Sequence, residues 1–290
     1  MDFLEAIILG LVQGLTEFLP ISSSAHLRIV GELAAWGDPG ATFTAITQLG
    51  TEVAVIIYFR REIVRIISKW FRSLGARGGR RSAGVQKGDP DVRMGWLIIV
   101  GTVPIVIVGF LLQDTIRTAF RSLWLVAIVL IVFGLLLGLA DWLGRKTKAQ
   151  EDISYRDGIL IGLAQMLALV PGVSRSGAST SAGLALGYER PAAAQFSFLL
   201  AVPAVFGAGL YETYTALTCD PVADKAEGCG IGYGMPETVV ATLVAFGVGL
   251  AVIAFLMSYI KKRSFLPFVI YRLLLGGGLI VALSLGIMQP

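Results

Sequence analysis

The composition of this 290-residue chain is that of an integral membrane protein. Hydrophobic residues make up 55% of it and charged residues only 15%, and its mean hydropathy is +0.76. Because soluble domains carry about 25% charged residues, a soluble globular domain is excluded. The net charge of +4 does not indicate a nucleic-acid partner, since the basic residues are concentrated in loops, as they are on the cytoplasmic side of membrane helices.

The first apolar region, residues 3–35, predicts a hairpin and not a membrane span. It follows an N-terminus, "MDFLEAIILG", that lacks a basic n-region, so we expect no cleaved signal peptide. The region breaks at Pro20 and a run of three serines, and each half is shorter than the roughly 20 residues that cross a bilayer. Two half-length helices around a polar turn indicate a re-entrant hairpin, which must be buried in protein or line a wet cavity.

A second region, residues 157–188, is broken in the same way at "PGVSRSGAST" and predicts a second re-entrant hairpin. The other apolar segments are long and unbroken enough to cross the membrane. They are residues 43–59, 96–112, 122–140, 194–212, 237–260 and 266–288.

Charge in the loops predicts the orientation of the spans. Residues 60–93 contain ten Lys and Arg, and residues 141–156 and the short loop before the last span are also basic, so these loops are expected to be cytoplasmic. Residues 213–236 are acidic and fit the outside. This loop contains Cys219 and Cys229, and the sequence leaves open whether they form a disulfide or remain thiols.

The two hairpins belong to an internal repeat. "GLVQGLTEFLPISSS" (10–24) aligns with "GLAQMLALVPGVSRS" (162–176) when one gap is allowed. Residues 1–145 and 151–290 then each contain one hairpin followed by three spans, and the loop charges place them in opposite orientations. The predicted fold is therefore an all-α membrane protein with an inverted repeat, whose functional site lies near the midplane where the repeats meet.

The first hairpin carries an acid, hydroxyls and the single histidine of the chain. Gln13 and Glu17 are four residues apart and share a helix face. Glu17 either faces a polar cavity or is a hydrogen-bonded structural group. Ser23 lies three residues before His26, so both side chains are expected on one face, where the imidazole could activate the hydroxyl or a water molecule.

The second hairpin carries an arginine suited to phosphate. Arg175 lies between Ser174 and Ser176 in a turn that also contains Gly172 and Gly177. A guanidinium in apolar surroundings needs an anionic partner, and its planar fork matches phosphate. The two hairpins together therefore predict phosphoryl transfer near the membrane midplane.

"QGLTEFLPISSSAH" and "PGVSRSGAS" closely resemble the two signature regions of the undecaprenyl-diphosphatase family, the bacterial bacitracin-resistance proteins. The resemblance extends over essentially the whole chain. It implies hydrolysis of undecaprenyl diphosphate to undecaprenyl phosphate and inorganic phosphate, which recycles the lipid carrier for peptidoglycan synthesis. It also implies a divalent cation, Mg²⁺ or Ca²⁺, and a location in the bacterial plasma (inner) membrane. From its place directly before the break, Glu17 is expected either to hold this cation or to orient His26, and we expect the active site to open to the outer face.

The resemblance assigns site residues by motif position. Glu17 matches the essential acid of an (E/Q)xxxE element, and Gln13 fills its variable first place, where many members have a glutamate. Ser179 stands where a threonine is usual. The expected catalytic residues are Glu17, Ser23, His26 and Arg175, and the expected substrate-binding residues are Gln13, Ser22, Ser24, Ser174, Ser176 and Ser179.

Several alternatives stay open at the level of sequence. Glu52, one turn beyond Gln48, either lines the cavity or makes a structural hydrogen bond. Pairs of glycines four residues apart allow close helix packing, with a homodimer contact as the alternative. A polyprenyl-phosphate transporter or flippase is the rival function, because inverted repeats with broken helices are typical of transporters.

Overall fold

The computed structural model describes residues 2–75, 88–117, 120, 122–218 and 234–289. In these ranges the chain forms helices and no strand, with one isolated bridge between Lys148 and Tyr188, which confirms the all-α fold. The α-helices are α1 (Phe3–Thr16), α2 (Ser23–Leu33), α3 (Gly40–Tyr58), α4 (Arg60–Gly75), α5 (Pro90–Leu111), α6 (Gln113–Arg117), α7 (Leu123–Leu143), α8 (Tyr155–Met166), α9 (Arg175–Ala185), α10 (Arg190–Thr218), α11 (Met235–Ile260) and α12 (Leu266–Ser284).

Six helices in the described ranges are long and apolar enough to cross a membrane: α3, α5, α7, α10, α11 and α12. They confirm the six predicted spans, with bounds that differ by a few residues. The largest difference is in α10, which has 29 residues and extends beyond the predicted span at both ends. The chain is therefore a multi-pass membrane protein.

Both broken segments form pairs of short helices that pack on each other, α1 with α2 and α8 with α9. With 11 to 14 residues each, these helices are about 16–21 Å long, too short for a hydrocarbon core of about 30 Å. The starts of α1 and α8 are 152 residues apart, and so are the starts of α2 and α9. These equal offsets fit the predicted repeat, which, like its inversion across the membrane, stays a prediction.

The basic segment 60–93, predicted as a loop, begins with helix α4. Its apolar residues Ile63, Ile66, Ile67 and Trp70 recur with helical spacing and pack toward α5, where Trp70 lies against Gly95. The basic side chains had directed the interpretation toward a loop, although the periodicity of a surface helix is present. Residues 76–87, and the cysteine-containing part of the loop 213–236, lie outside the described residues.

Close helix packing around the hairpins depends on glycine. A Cβ atom on Gly10 of α1 would lie 2.5 Å from the carbonyl oxygen of Ala241 in α11, and one on Gly134 of α7 would lie 3.1 Å from the Arg272 side chain in α12. Gly14, Gly138 and Gly183 meet neighbouring helices of the same chain in the same way. These pairs therefore serve packing within one chain, and the homodimer stays untested.

Candidate active site

The two turns share an unusual backbone conformation. Ser22, directly before α2, has φ 73°, and Ser174, directly before α9, has φ 70°. Such left-handed conformations cost non-glycine residues about 1–3 kcal/mol and cluster at functional sites. The Ser22 Oγ accepts a hydrogen bond from the Gly172 N–H at 3.2 Å, so the two turns contact each other directly.

Glu17 follows α1 and is almost fully buried, with 6% of its surface exposed. Its Oε2 accepts hydrogen bonds from Gln13 Nε2 at 2.7 Å and from Ser23 Oγ at 2.6 Å. The helix-face prediction for Gln13 and Glu17 is therefore confirmed. Glu17 also links the end of α1 to the first residue of α2.

Arg175, the first residue of α9, connects the second hairpin to the first. Its Nη2 donates to Glu17 Oε1 at 2.6 Å and to Glu52 Oε1 at 2.5 Å. Glu52 comes from span α3 and is completely buried. Glu52 thus makes a buried hydrogen bond, which is one of its two interpretations from sequence, while its lining of a cavity stays a prediction. The protein itself provides the anionic partners that Arg175 requires.

His26 contacts different groups from those expected. Its Nδ1 lies 2.7 Å from the carbonyl oxygen of Ser22, and its Nε2 lies 2.7 Å from the hydroxyl of Tyr271, whose ring stacks on the imidazole. Because a carbonyl can only accept, Nδ1 carries the proton, and in the neutral ring Nε2 accepts from Tyr271.

The expected pairing of His26 with Ser23 is therefore replaced by a pairing of Ser23 with Glu17. Side chains of a helix point back toward its N-terminus, so the hydroxyl of the first residue of α2 faces the preceding turn, where Glu17 lies. Spacing within α2 correctly predicts a helix but not the group that the turn brings to this hydroxyl.

The remaining serines hold the turns together. Ser24 bonds Ser22, and Ser176 bonds Ser174, each with oxygens 3.2 Å apart. Ser176 also reaches carbonyl groups of the first turn at 3.4–3.5 Å. Ser179 bonds the Arg175 carbonyl within its own helix at 3.0 Å. The Ser179 hydroxyl therefore makes a hydrogen bond within α9.

Arg272 is the functional residue that sequence reasoning missed. It lies in span α12, is completely buried, and donates to the carbonyl groups of Pro20 in the first turn and of Gly172 and Val173 in the second, at 2.7–3.1 Å. Its Nε bonds Leu130 in α7. A single arginine in an apolar span was the available signal, since intramembrane charges mark sites.

Three buried atoms of this cluster have no hydrogen-bond partner among the described residues: Gln13 Oε1, Glu52 Oε2 and Arg175 Nη1. Buried polar groups are normally satisfied, so these atoms point to a ligand. Within the described ranges no group of three His, Cys, Asp or Glu residues forms a ready metal site. Two carboxylates and an amide oxygen nevertheless offer the oxygen donors that Mg²⁺ and Ca²⁺ prefer, and Mg²⁺ is often held by only one or two carboxylates.

Comparison with known proteins gives consistent matches over the whole chain. Residues 6–278 match the family "Bacitracin resistance protein BacA". The chain is 63% identical to an undecaprenyl-diphosphatase of Clavibacter michiganensis subsp. michiganensis, over 99% of this chain and 98% of the relative. It is 61% identical to one of Micrococcus luteus, over the full length of both, and 54% identical to one of Nocardioides sp., over 99% and 98%.

Proposed function

The chain belongs to the bacitracin resistance protein BacA family, and we propose that it hydrolyses undecaprenyl diphosphate to undecaprenyl phosphate and inorganic phosphate. The observation that carries this proposal is the contact between the two hairpins, where Arg175 of one lies 2.6 Å from Glu17 of the other. A guanidinium, a carboxylate and a serine hydroxyl then meet at one buried point, in a chain whose relatives carry this activity in their names. Neither the contacts of the described residues nor those names favour the transporter alternative.

Arg175 and the serine-lined turns bind the diphosphate. The Nη1 of Arg175 has no partner and can donate to a phosphate oxygen, and the guanidinium fork provides bidentate geometry. The hydroxyls of Ser22, Ser174 and Ser176 line the two turns and supply further donors. Arg272 supports this arrangement through the backbone of both turns.

Ser23 and Glu17 are placed for the chemical step. Ser23 Oγ attacks the terminal phosphorus as the bond from that phosphorus to the bridging oxygen breaks, undecaprenyl phosphate leaves, and the hydroxyl proton passes to Glu17. Water then attacks the phosphoserine, inorganic phosphate leaves, and Ser23 regains its proton. In the competing route Glu17 activates a water that attacks directly, and Ser23 only donates a hydrogen bond.

A divalent cation, Mg²⁺ or Ca²⁺, belongs to the proposal, with Glu17 as a ligand. When bound, it neutralises charge on the phosphate oxygens and so lowers the barrier to attack by a nucleophile. In the structure one carboxylate oxygen of Glu17 faces Ser23 and the other faces Arg175.

The proposed location is the bacterial plasma membrane, with the site open to the outer face. The supporting observation is the basic character of the loops 60–93 and 141–156 against the acidic loop 213–236. A membrane-impermeant thiol reagent should label Cys219 and Cys229 in intact cells after reduction. Labelling only after lysis would reverse this orientation.

The activity is tested with the purified full-length protein in detergent. Released phosphate is measured with undecaprenyl diphosphate and Mg²⁺, and again with a chelator present. We expect release that depends on the cation and on Arg175. Binding of the lipid without release of phosphate would instead favour a transporter.

A further inference from the structure

Glu52, like Arg272, belongs to the site but comes from neither hairpin. It lies in α3, a helix long and apolar enough to cross the membrane, and its side chain has no exposed surface. An ionisable residue inside a membrane span is costly and usually functional. A role only as a hydrogen-bond partner does not account for its second oxygen, since Oε2 has no partner in the part of the chain that the structure describes.

Glu52 and Glu17 share a single nitrogen of Arg175. Since Nη2 lies 2.5 Å from one Oε1 and 2.6 Å from the other, these two oxygens are at most about 5 Å apart, close enough for like charges to repel strongly in a buried site. The three groups carry a formal net charge of −1. A phosphate approaching this cluster meets an arginine that is already occupied by two carboxylates.

The donor atoms around this point are oxygens. Gln13 leaves the QxxxE element of the first hairpin with Glu17 as its only carboxylate, and Glu52 supplies a second one from α3. The unpartnered Gln13 Oε1 and Glu52 Oε2 add two acceptors that are fully buried. This donor set fits a hard divalent cation such as Mg²⁺ or Ca²⁺.

We propose that Glu52 is a ligand of the divalent cation, which it binds together with Glu17. A cation held there would neutralise the two carboxylates, and the fork of Arg175 could then turn to the phosphate. The inference rests on the proposed function for the identity of that phosphate. The cation site itself concerns only residues of this chain.

The experiment measures cation binding without substrate. The purified full-length protein in detergent is titrated with Mn²⁺, followed by electron paramagnetic resonance, and with Mg²⁺ and Ca²⁺ in competition. Glu52→Gln keeps the size of the side chain and an oxygen that can accept from Arg175, but removes the charge. We expect the dissociation constant of this variant for the cation to rise at least tenfold. Mutation of a residue that only hydrogen-bonds a metal ligand already lowers metal affinity about 10–100-fold.

Glu212→Gln is the matched control. Glu212 is also a buried glutamate of a membrane span and accepts a hydrogen bond from Thr42, which lies ten residues before Glu52 in α3 and therefore about 15 Å away along the helix. Its cation affinity should equal that of the wild type. Thermal melting of each variant establishes that it is folded. If Glu52→Gln does not fold, Glu52→Asp, which keeps the charge, is measured in its place, and its affinity for the cation should be lower than that of the wild type.

The proposal is overturned if the wild type binds no cation at millimolar concentration. It is also overturned if the folded Glu52 variant, Gln or otherwise Asp, binds the cation as tightly as the wild type. A lower melting temperature with unchanged affinity would make Glu52 a structural partner of Arg175. Failure of the proposed function can be distinguished from failure of the cation site. If the wild type binds the cation but releases no phosphate from undecaprenyl diphosphate, the cation site stands and the proposed reaction is wrong.

Discussion

The two hairpins share the backbone conformation at the start of their second helix and carry different chemistry there. In both, a helix of 11 residues follows a serine in the left-handed conformation, Ser22 before α2 and Ser174 before α9. The next residue is Ser23 in the first hairpin and Arg175 in the second, so the hydroxyl and the guanidinium occupy equivalent positions. The comparison teaches that the two turns differ mainly at the position after the left-handed serine, and the proposed function assigns phosphoryl acceptance to Ser23 and phosphate binding to Arg175.

The largest effect is expected where the second hairpin loses its distinguishing side chain. Arg175→Ala should lower kcat/KM by at least about 10³-fold, because removing even one preorganised donor costs about 10²–10³. Arg175→Lys should recover little, since a point charge lacks the fork. Phosphate release is the measurement, with Arg65→Ala, at the surface near Asp91, as the control. Near-normal activity of the Lys variant would make Arg175 a structural residue.

Loss of the equivalent side chain in the first hairpin separates the two chemical routes. On the serine route Ser23→Ala should lower the rate by about 10³-fold or more, as for other removed nucleophiles. A residual rate within about tenfold of the wild type, or 1.4 kcal/mol in barrier, leaves only the water route. Ser181→Ala, whose hydroxyl bonds a carbonyl of its own helix, controls for the loss of a hydroxyl.

Substitution of Arg272 should disturb the turns of both hairpins, because its guanidinium donates hydrogen bonds to both. Arg272→Met keeps an unbranched stem but removes the guanidinium, which leaves the carbonyl groups of Pro20, Gly172 and Val173 without this donor. Each unsatisfied buried group costs about 1–3 kcal/mol, so the melting temperature should fall by several degrees. The rate should fall about 10²-fold as the turns shift. Arg263→Met, at an exposed position, is the control. A melting temperature of Arg272→Met equal to that of the wild type would contradict the role of Arg272 in stabilising the two turns.

The smallest effect compares the two equivalent glutamines. Gln13 donates to Glu17, whereas Gln165 is fully buried and neither atom of its amide has a partner. Gln13→Leu should lower the rate about tenfold, the value of one hydrogen bond to a charged group. Gln165→Leu should leave the rate unchanged and keep or raise the melting temperature. An equal loss of rate in both variants would contradict the expectation that only the glutamine of the first hairpin contributes to the reaction.

Much of the fold follows from patterns along the chain. Length and composition predict six spans, and Pro20 and the serine runs predict two broken segments, because both signals act within about 20 residues. Helix α4 was missed since its basic side chains outweighed the spacing of its apolar ones. The contact of Ser23 with Glu17 depends on the path of the turn, which side-chain spacing within a helix does not specify.

The site residues that motifs predict are those within the two turns, whereas Glu52 and Arg272 come from spans. Both are isolated charges in apolar helices, where sequence indicates that a partner must exist but not which one. Their partners lie 123 and about 100 to 250 residues away in the chain, and only packing brings them together.

The bonds of Arg272 also bear on how the protein is made. Helix α12 follows every other described helix in the chain, so ribosomes deliver it to the membrane after both hairpins. Until it inserts, the carbonyl groups of Pro20, Gly172 and Val173 lack the arginine that joins the two turns. A nascent chain stalled before α12 would therefore hold both hairpins in the bilayer without the bonds that join their turns, and the proposed activity would arise only after α12 has inserted.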